Sequence, residues 1–393
     1  MTSVPRRPGR ARVPPWRNVR VLRIVAQIGV LAVVGLIGLW LWNNLTSGMA
    51  RSNLTFGLDF LNSTAGFEIT ETPIPYTATD TYGRAFLVGL LNTLIVSVAG
   101  IILATLLGIV VGVARLSNNW LINRIAAGYV EIIRNTPLLV QLVLIYALLR
   151  QLPSVANSVA LPGSIFLNQR GLFLPRPDPQ PNFSIWLAIM LLSVAVAIAA
   201  RVVATRRADA GRATHSLGRI GLAVLIAGPL VGWIVLGGPV ALDVPVRDRF
   251  NFIGGVVLSP ELTALLAGLV LYTAAFIGEA VRGGIQAVRR GQTEAAQAIG
   301  LTDMQTLRLV VFPQALRIIV PPLTSQYLNL AKNSSLAIAI GFSDLFQVSN
   351  TMANQTGQPV SVIVLVMATY LAISLVTSLF LNIYNRRVQV LER

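Results

Sequence analysis

The chain has 393 residues, no cysteine, one histidine (His215) and one lysine (Lys332), which excludes thiol chemistry, a disulfide framework and a Cys/His zinc site. Hydrophobic residues make up 54% and charged residues 12%, against roughly 25% charged in a soluble domain, so the solvent for most of the chain is lipid. The lone lysine follows Leu330-Ala331 rather than the glycines of a phosphate loop, which excludes that mode of nucleotide binding, and the net charge of +16 has to be read from where the arginines fall.

Residues 1–23 carry Arg6, Arg7, Arg10, Arg12, Arg17, Arg20 and Arg23 among prolines, a basic tail expected to be disordered and to prefer the cytoplasmic face. The apolar run 24–42 exceeds a signal-peptide core and ends in Trp40 and Trp42 with no Ala-x-Ala cleavage pattern, so a retained signal-anchor helix is expected. Residues 43–80 turn polar and acidic (Asp59, Glu68, Glu71, Asp80), as a periplasmic segment would. A second span is expected over about 85–114, with Gly108 and Gly112 spaced for helix packing. Arg115 and Arg124 flank a short inside turn, and a third span over about 125–149 contains Pro137, which frees a backbone carbonyl and predicts a bend or break.

Residues 152–183, rich in proline, read as an irregular outside loop. Two more spans, about 185–200 and 220–236, are joined by Arg201, Arg206, Arg207, Arg212 and Arg219, a cytoplasmic joint in which His215 reads as a solvated loop residue. Residues 243–261 return outside, and about 262–278 crosses inward. After Pro313 the chain re-enters the membrane, but Pro321, Pro322 and a cluster of polar residues argue against a smooth helix. Asp344, Asn350 and Asn354 look external, the last span covers about 361–383, and residues 385–393 form a cytoplasmic tail. About eight crossings put both termini inside. The arginines then gather in the inside segments, which accounts for the basic charge without nucleic acid.

The stretch from Arg289 to Pro313 is a polar island. Thr293 is placed to N-cap a short helix with Glu294 in its first turn, and Gly300 to stop it. Thr302 and Gln305 form a capping-box pattern at the start of a second helix. Ala295, Ala296 and Ala298 leave the short helix little bulk, a shape suited to docking rather than catalysis.

Glu294-Ala295-Ala296, three residues, Gly300, nine residues, then Val310-x-Phe312-Pro313 resembles the cytoplasmic coupling (EAA) loop of ATP-binding-cassette importer permeases, with Phe312 where that family usually has leucine. Glu131-Ile-Ile-Arg-Asn-Thr-Pro-Leu-Leu-Val-Gln141, Lys332-Asn-Ser-Ser-Leu336 and Glu279-Ala-Val-Arg-Gly-Gly284 resemble the polar amino-acid branch of that family, and the likeness covers most of Thr81 to Tyr384. Within that branch the long N-terminus and the insert near 154–260 are similar to the larger permeases of general L-amino-acid and glutamate/glutamine/aspartate/asparagine uptake systems. The resemblance implies an all-α integral membrane protein. It would be a type I ABC importer permease core over 81–384, with coupling loop 289–313, an added N-terminal helix and an inserted helical pair. It implies a translocation subunit rather than an enzyme, with ATP and magnesium held by two partner ATPases. It also implies a second permease subunit, often a paralogue, and a periplasmic substrate-binding protein, in a bacterial inner membrane. Two other classes compete: an ion-coupled secondary transporter, which should show a repeated half, and a non-transporting membrane scaffold.

The resemblance assigns Glu294, Ala295, Ala296 and Gly300 to ATPase coupling; by position alone Glu294 is a helix-start charge. Glu131 with Arg134, and Glu279 with Arg282, sit three apart on a helical face and read as structural or gate ion pairs, direct contact with a zwitterion being the alternative. Asn135, Thr136 and Gln141 are candidates for the substrate path or for helix–helix hydrogen bonds. Lys332 needs a partner in lipid, either a substrate carboxylate or the membrane surface, and Asn329, Asn333 and Ser334 share that ambiguity.

Overall fold

The computed structural model describes residues 19–51, 56–209 and 215–388, so most of the basic N-terminal tail and residues 389–393 of the C-terminal tail lie outside it. Among the described residues seven helices are long and apolar enough to cross a membrane, or eight if a bent pair is counted as one span, in agreement with the expected count. The first, α1 (Val19–Arg51), runs as one helix past Trp42 into the segment expected to be periplasmic, and its candidate span is 0% buried within this chain.

The centre is α2 (Tyr82–Ala114) packed on α7 (Pro260–Gln286). Among lipid tails, apolar burial supplies no net drive between helices, so close van der Waals contact must hold them. A Cβ on Gly108 would lie 2.5 Å from Cγ2 of Ile277, and one on Gly112 would lie 2.7 Å from Cβ of Val281. Only glycine permits that approach. The small-residue pair read as a packing device is therefore the seam of the core, which continues through Leu142, Leu269, Ala315 and Leu330.

Pro137 breaks the third span outright: α3 (Trp120–Asn135) and α4 (Leu138–Arg150) meet at 108°. Proline pushes the residue before it out of the helical region, and Thr136 is extended at φ −106°, ψ 132°. Gln141 Nε2 donates to the carbonyls of Ile133 and Thr136, 2.9 Å each, which satisfies backbone acceptors the break sets free.

The proline-rich loop is not irregular. Strands β1 (Val159–Leu161), β2 (Ile165–Asn168), β3 (Gly171–Leu174), β4 (Arg176–Pro179), β5 (Val240–Asp243), β6 (Val246–Arg247), β7 (Phe252–Ile253) and β8 (Val256–Leu258) build three small antiparallel sheets. The largest has the order β1-β2-β3-β8, and Phe166 and Phe173 each stack on Phe252 at 4.7 Å. The second partner of β3 (β8) and the partner of β4 (β5) follow both helices of the insert, α5 (Phe183–Asp209) and α6 (His215–Val235), so local reading had no access to those pairings. His215 opens α6 rather than lying in a loop.

At the same end of the molecule, residues 56–81 fold over the helix ends: Phe60 and Ile69 pack with Tyr82, with Val348 and Met352 of α11 (Leu345–Thr356), and with Val362 of α12 (Pro359–Val388). The re-entrant region also departs from expectation. Residues Phe312–Asn333 form a continuous helix, α10, through Pro321 and Pro322. The acceptors that those prolines leave unpaired belong to Arg317 and Ile318, both exposed. The irregularity moves to the flanks, as a π-helical stretch over Leu307–Val311 and a 3-10 stretch over Ser334–Ile340.

Candidate functional site

Two places contain residues that the sequence marks for function. The first is a cavity of about 400 Å³ between the C-terminal end of α2, the face of α3 and the C-terminal half of α7, lined by Arg115, Glu131, Arg134, Asn135, Phe276 and Glu279. The glycine seam creates it. With α2 and α7 in contact at Gly112 and Val281, Arg115 at the end of α2 reaches Glu279 and forms an ion pair. Arg282 grips the same carboxylate from one turn further along α7, with Nε 3.2 Å from Oε2 and Nη2 on Oε1. The three side chains are 20–27% exposed, so the pairing is well shielded from solvent.

Glu131 and Arg134 do not form the expected pair. Among the described residues no ion pair joins them, and the Arg134 guanidinium lies 5.0 Å from the centroid of the Phe276 ring instead. An aromatic face from α7 competes for the arginine, and Glu131, exposed beside it, stays free. Three guanidiniums (Arg115, Arg134, Arg282) against two carboxylates (Glu131, Glu279) leave the site one positive charge in excess. Burial, then repulsion from Arg282 and Arg134, lowers the Arg115 pKa. The guanidiniums of this arrangement can hold an anion and the free Glu131 carboxylate a cation.

The remaining path candidates are elsewhere. Gln141 belongs to the α3–α4 elbow, its Oε1 buried without a partner, and the Thr136 hydroxyl donates to Ile132 O at 2.8 Å. Ser334 is buried and donates to Ala331 O at 2.9 Å, Asn333 is half-buried, and Asn329 and Lys332 are exposed on α10. None of the six lines the charged cavity. Sequence reasoning treated Arg115 only as the flank of a turn and passed over Phe276; the Gly108/Gly112 spacing was the signal that could have joined Arg115 to α7.

The second place is the loop over 289–313. Helix α8 (Arg290–Ala298) starts four residues earlier than expected, with Arg289 rather than Thr293 at the N-cap, so Thr293 is interior and Glu294 lies in the second turn; no side chain caps its start. The Arg289 carbonyl accepts from Gln292 N at 2.9 Å and nucleates the first turn without help from a hydroxyl. The C-terminus ends as a Schellman motif: Gly300 N donates to Gln297 O, Leu301 N donates to Ala296 O, and Gly300 has φ +86°. Helix α9 (Asp303–Thr306) follows, with the Thr302/Gln305 capping box complete. Ala296 is turned inward at 3% exposure, whereas Glu294 and Ala295 are exposed. Gln314 on α10 donates to Gln292 at 3.2 Å, which ties the short helix to the membrane helix after it. At the tip, Ile299 and Met304 are 78% and 72% exposed, apolar side chains that the sequence reading did not single out.

The family model for the inner membrane component of binding-protein-dependent transport systems matches residues 104–390, and the chain belongs to that family. It is therefore a multi-pass inner-membrane translocation subunit, not an enzyme, and membership implies ATP use by separate ATPase components. The general L-amino acid transport system permease protein AapQ of Rhizobium johnstonii is 46% identical over 93% of this chain and 92% of its own length. The glutamate/glutamine/aspartate/asparagine transport system permease protein BztB of Rhodobacter capsulatus is 40% identical over 96% of each chain. A solved structure described as an amino acid ABC transporter with histidines aligns with 78% of this chain and 95% of its own at 23% identity and a TM-score of 0.47.

Proposed function

We propose that the chain is the permease subunit of an importer for polar L-amino acids, working beside a second permease subunit, two ATPases and a periplasmic binding protein. Near full-length likeness to permeases named for those substrates supports the cargo. The arginine-rich joints and tail support an orientation with both termini in the cytoplasm.

In this reading Glu294, Ala295, Ala296 and Gly300 present a small-sided helix and a rigid turn to a cleft in the ATPase. The observation that carries it is the tip itself: Ile299 and Met304 stand out in solvent from a loop locked by a Schellman motif and a capping box. Exposed apolar side chains on so rigid a support favour a partner with a matching pocket. Closure of the ATPases on ATP would move α8. Because α8 follows α7 directly, and Glu279 of α7 is held by Arg115 of α2, that movement would reach the walls of the charged cavity. Binding energy from the partner thereby biases two arrangements of one helix pair.

With Glu279 held by Arg115 and by Arg282 behind it, Arg134 in the cavity wall has no carboxylate partner and suits a substrate carboxylate, with Glu131 available for the ammonium group. Reconstitution of the assembled transporter in proteoliposomes tests the whole reading. ATP-dependent accumulation of labelled glutamate, glutamine, aspartate or asparagine is expected, and Ile299→Asp should abolish it while the subunits still insert. Uptake driven by an ion gradient without ATP would overturn it.

A further inference from the structure

Between α5 and α6, toward their arginine-rich ends, lies an open groove of about 450 Å³. Val194, Ile198, Gly218, Gly221 and Leu222 line it, and Arg201 is the lining residue nearest the joint between the helices. The lining spans eight residues on each helix, 194–201 and 218–225, a rise of about 10 Å, which matches the upper part of one acyl chain in one leaflet. No atom would come within 4 Å of a Cβ on Gly218, so the space there is open.

The two helices pack mainly on each other, through Trp186 Nε1 on the Pro229 carbonyl at 3.0 Å and Gly228 against Ser193. Their other faces show Leu191, Leu192, Ile226 and Leu230 more than half exposed, an apolar surface suited to contact with hydrocarbon. A groove in such a wall fills with acyl chain. Arg201 decides which lipid: among the described residues it has no acidic partner, it sits one turn inside the end of the span, and Arg207 and Arg219, both exposed, lie beyond it toward the joint in α5 and α6. A guanidinium at headgroup depth pairs with phosphate, and the added positive charge favours a lipid of net negative charge over a zwitterionic one.

We propose that this groove binds an anionic phospholipid, with one acyl chain along Val194, Ile198 and Leu222 and the phosphate on Arg201. The site is independent of the cargo and of the coupling loop, and it gives the inserted pair a ligand of its own.

Native mass spectrometry of the full-length chain, released from detergent in equal amounts of phosphatidylglycerol and phosphatidylcholine, tests it. The parent should retain phosphatidylglycerol in preference. Arg201→Gln should reduce that preference about fivefold, as loss of one interfacial arginine implies, and Gly218→Leu should reduce retention of both lipids by filling the groove. Thermal unfolding of the delipidated variants at the parent's temperature shows that the helices remain folded. Retention of phosphatidylglycerol by both variants at the parent's level, or no lipid preference in the parent, overturns the proposal; the parent measurement decides even if a variant fails to fold.

Discussion

Arg115 at the end of α2 and Glu279 on α7 form an ion pair across the glycine seam that joins those two helices, and Arg282 shares the carboxylate. Removing one member leaves a partly buried charge without its partner. Glu279→Ala should destabilise the chain by about 2 kcal/mol, below the roughly 3–5 kcal/mol of a fully enclosed pair. Unfolding in mild detergent measures it. A double-mutant cycle with Arg115→Met should show non-additivity; strictly additive losses would mean that the two charges are not coupled.

The seam itself is sensitive to volume. Gly108→Leu places side-chain atoms where even a Cβ meets Ile277 at 2.5 Å, so the helices must part. A loss of about 1–3 kcal/mol is expected, with Ile277→Ala recovering part of it. Unchanged unfolding of Gly108→Leu would show that α2 and α7 are not held by this contact.

Glu294 and Ile299 are exposed and touch nothing that the fold requires. Glu294→Lys and Ile299→Asp should therefore leave insertion and melting temperature unchanged, and lower substrate-stimulated ATP hydrolysis by about tenfold or more, the cost of losing roughly 1.4 kcal/mol at a docking contact. Normal stimulation in both variants would remove the tip from the coupling mechanism.

Arg134 lines the charged cavity, whereas Lys332 does not. Arg134→Gln should raise the substrate concentration for half-maximal uptake about tenfold, as loss of a charged contact of roughly 1.5 kcal/mol implies. Lys332→Met should leave it unchanged. The opposite result would move the carboxylate site to α10.

Asp344 caps α11, accepting from Gln347 N at 2.8 Å and lying 3.4 Å from the Tyr370 hydroxyl, with 0% exposure. Burial, partly offset by these hydrogen bonds, pushes its carboxyl up from 3.8 to about 6. Because the folded value exceeds the unfolded one, the fold holds the proton more tightly. The resulting stability is full below pH 3.8 and is lost as pH rises through about 6. The change is on the order of 3 kcal/mol. Asp344→Asn keeps an acceptor for Gln347 and should flatten the melting profile between pH 4 and 7; an unchanged slope would assign the titration to another group.

Membrane spans, the helix break and the capping box were legible because each depends on a short range of chain. A run of apolar residues long enough for the bilayer, a proline that displaces Thr136, and a threonine three residues before a glutamine act locally. The start of α8 was misread because backbone turns can nucleate a helix where no capping side chain stands.

Neither the strands of the insert nor the partner of each charge was open to the same reading. β3 pairs with β8 only after two helices intervene, and Glu131 lost Arg134 to a phenylalanine more than a hundred residues downstream. By itself the sequence determined that this chain lives in lipid, how often it crosses and where the short polar helix pair between α7 and α10 lies, because those follow from composition and near-neighbour geometry. Which charges meet was decided only when two glycines let α2 and α7 touch, since an ion pair depends on distance in space and spacing along the chain does not report it.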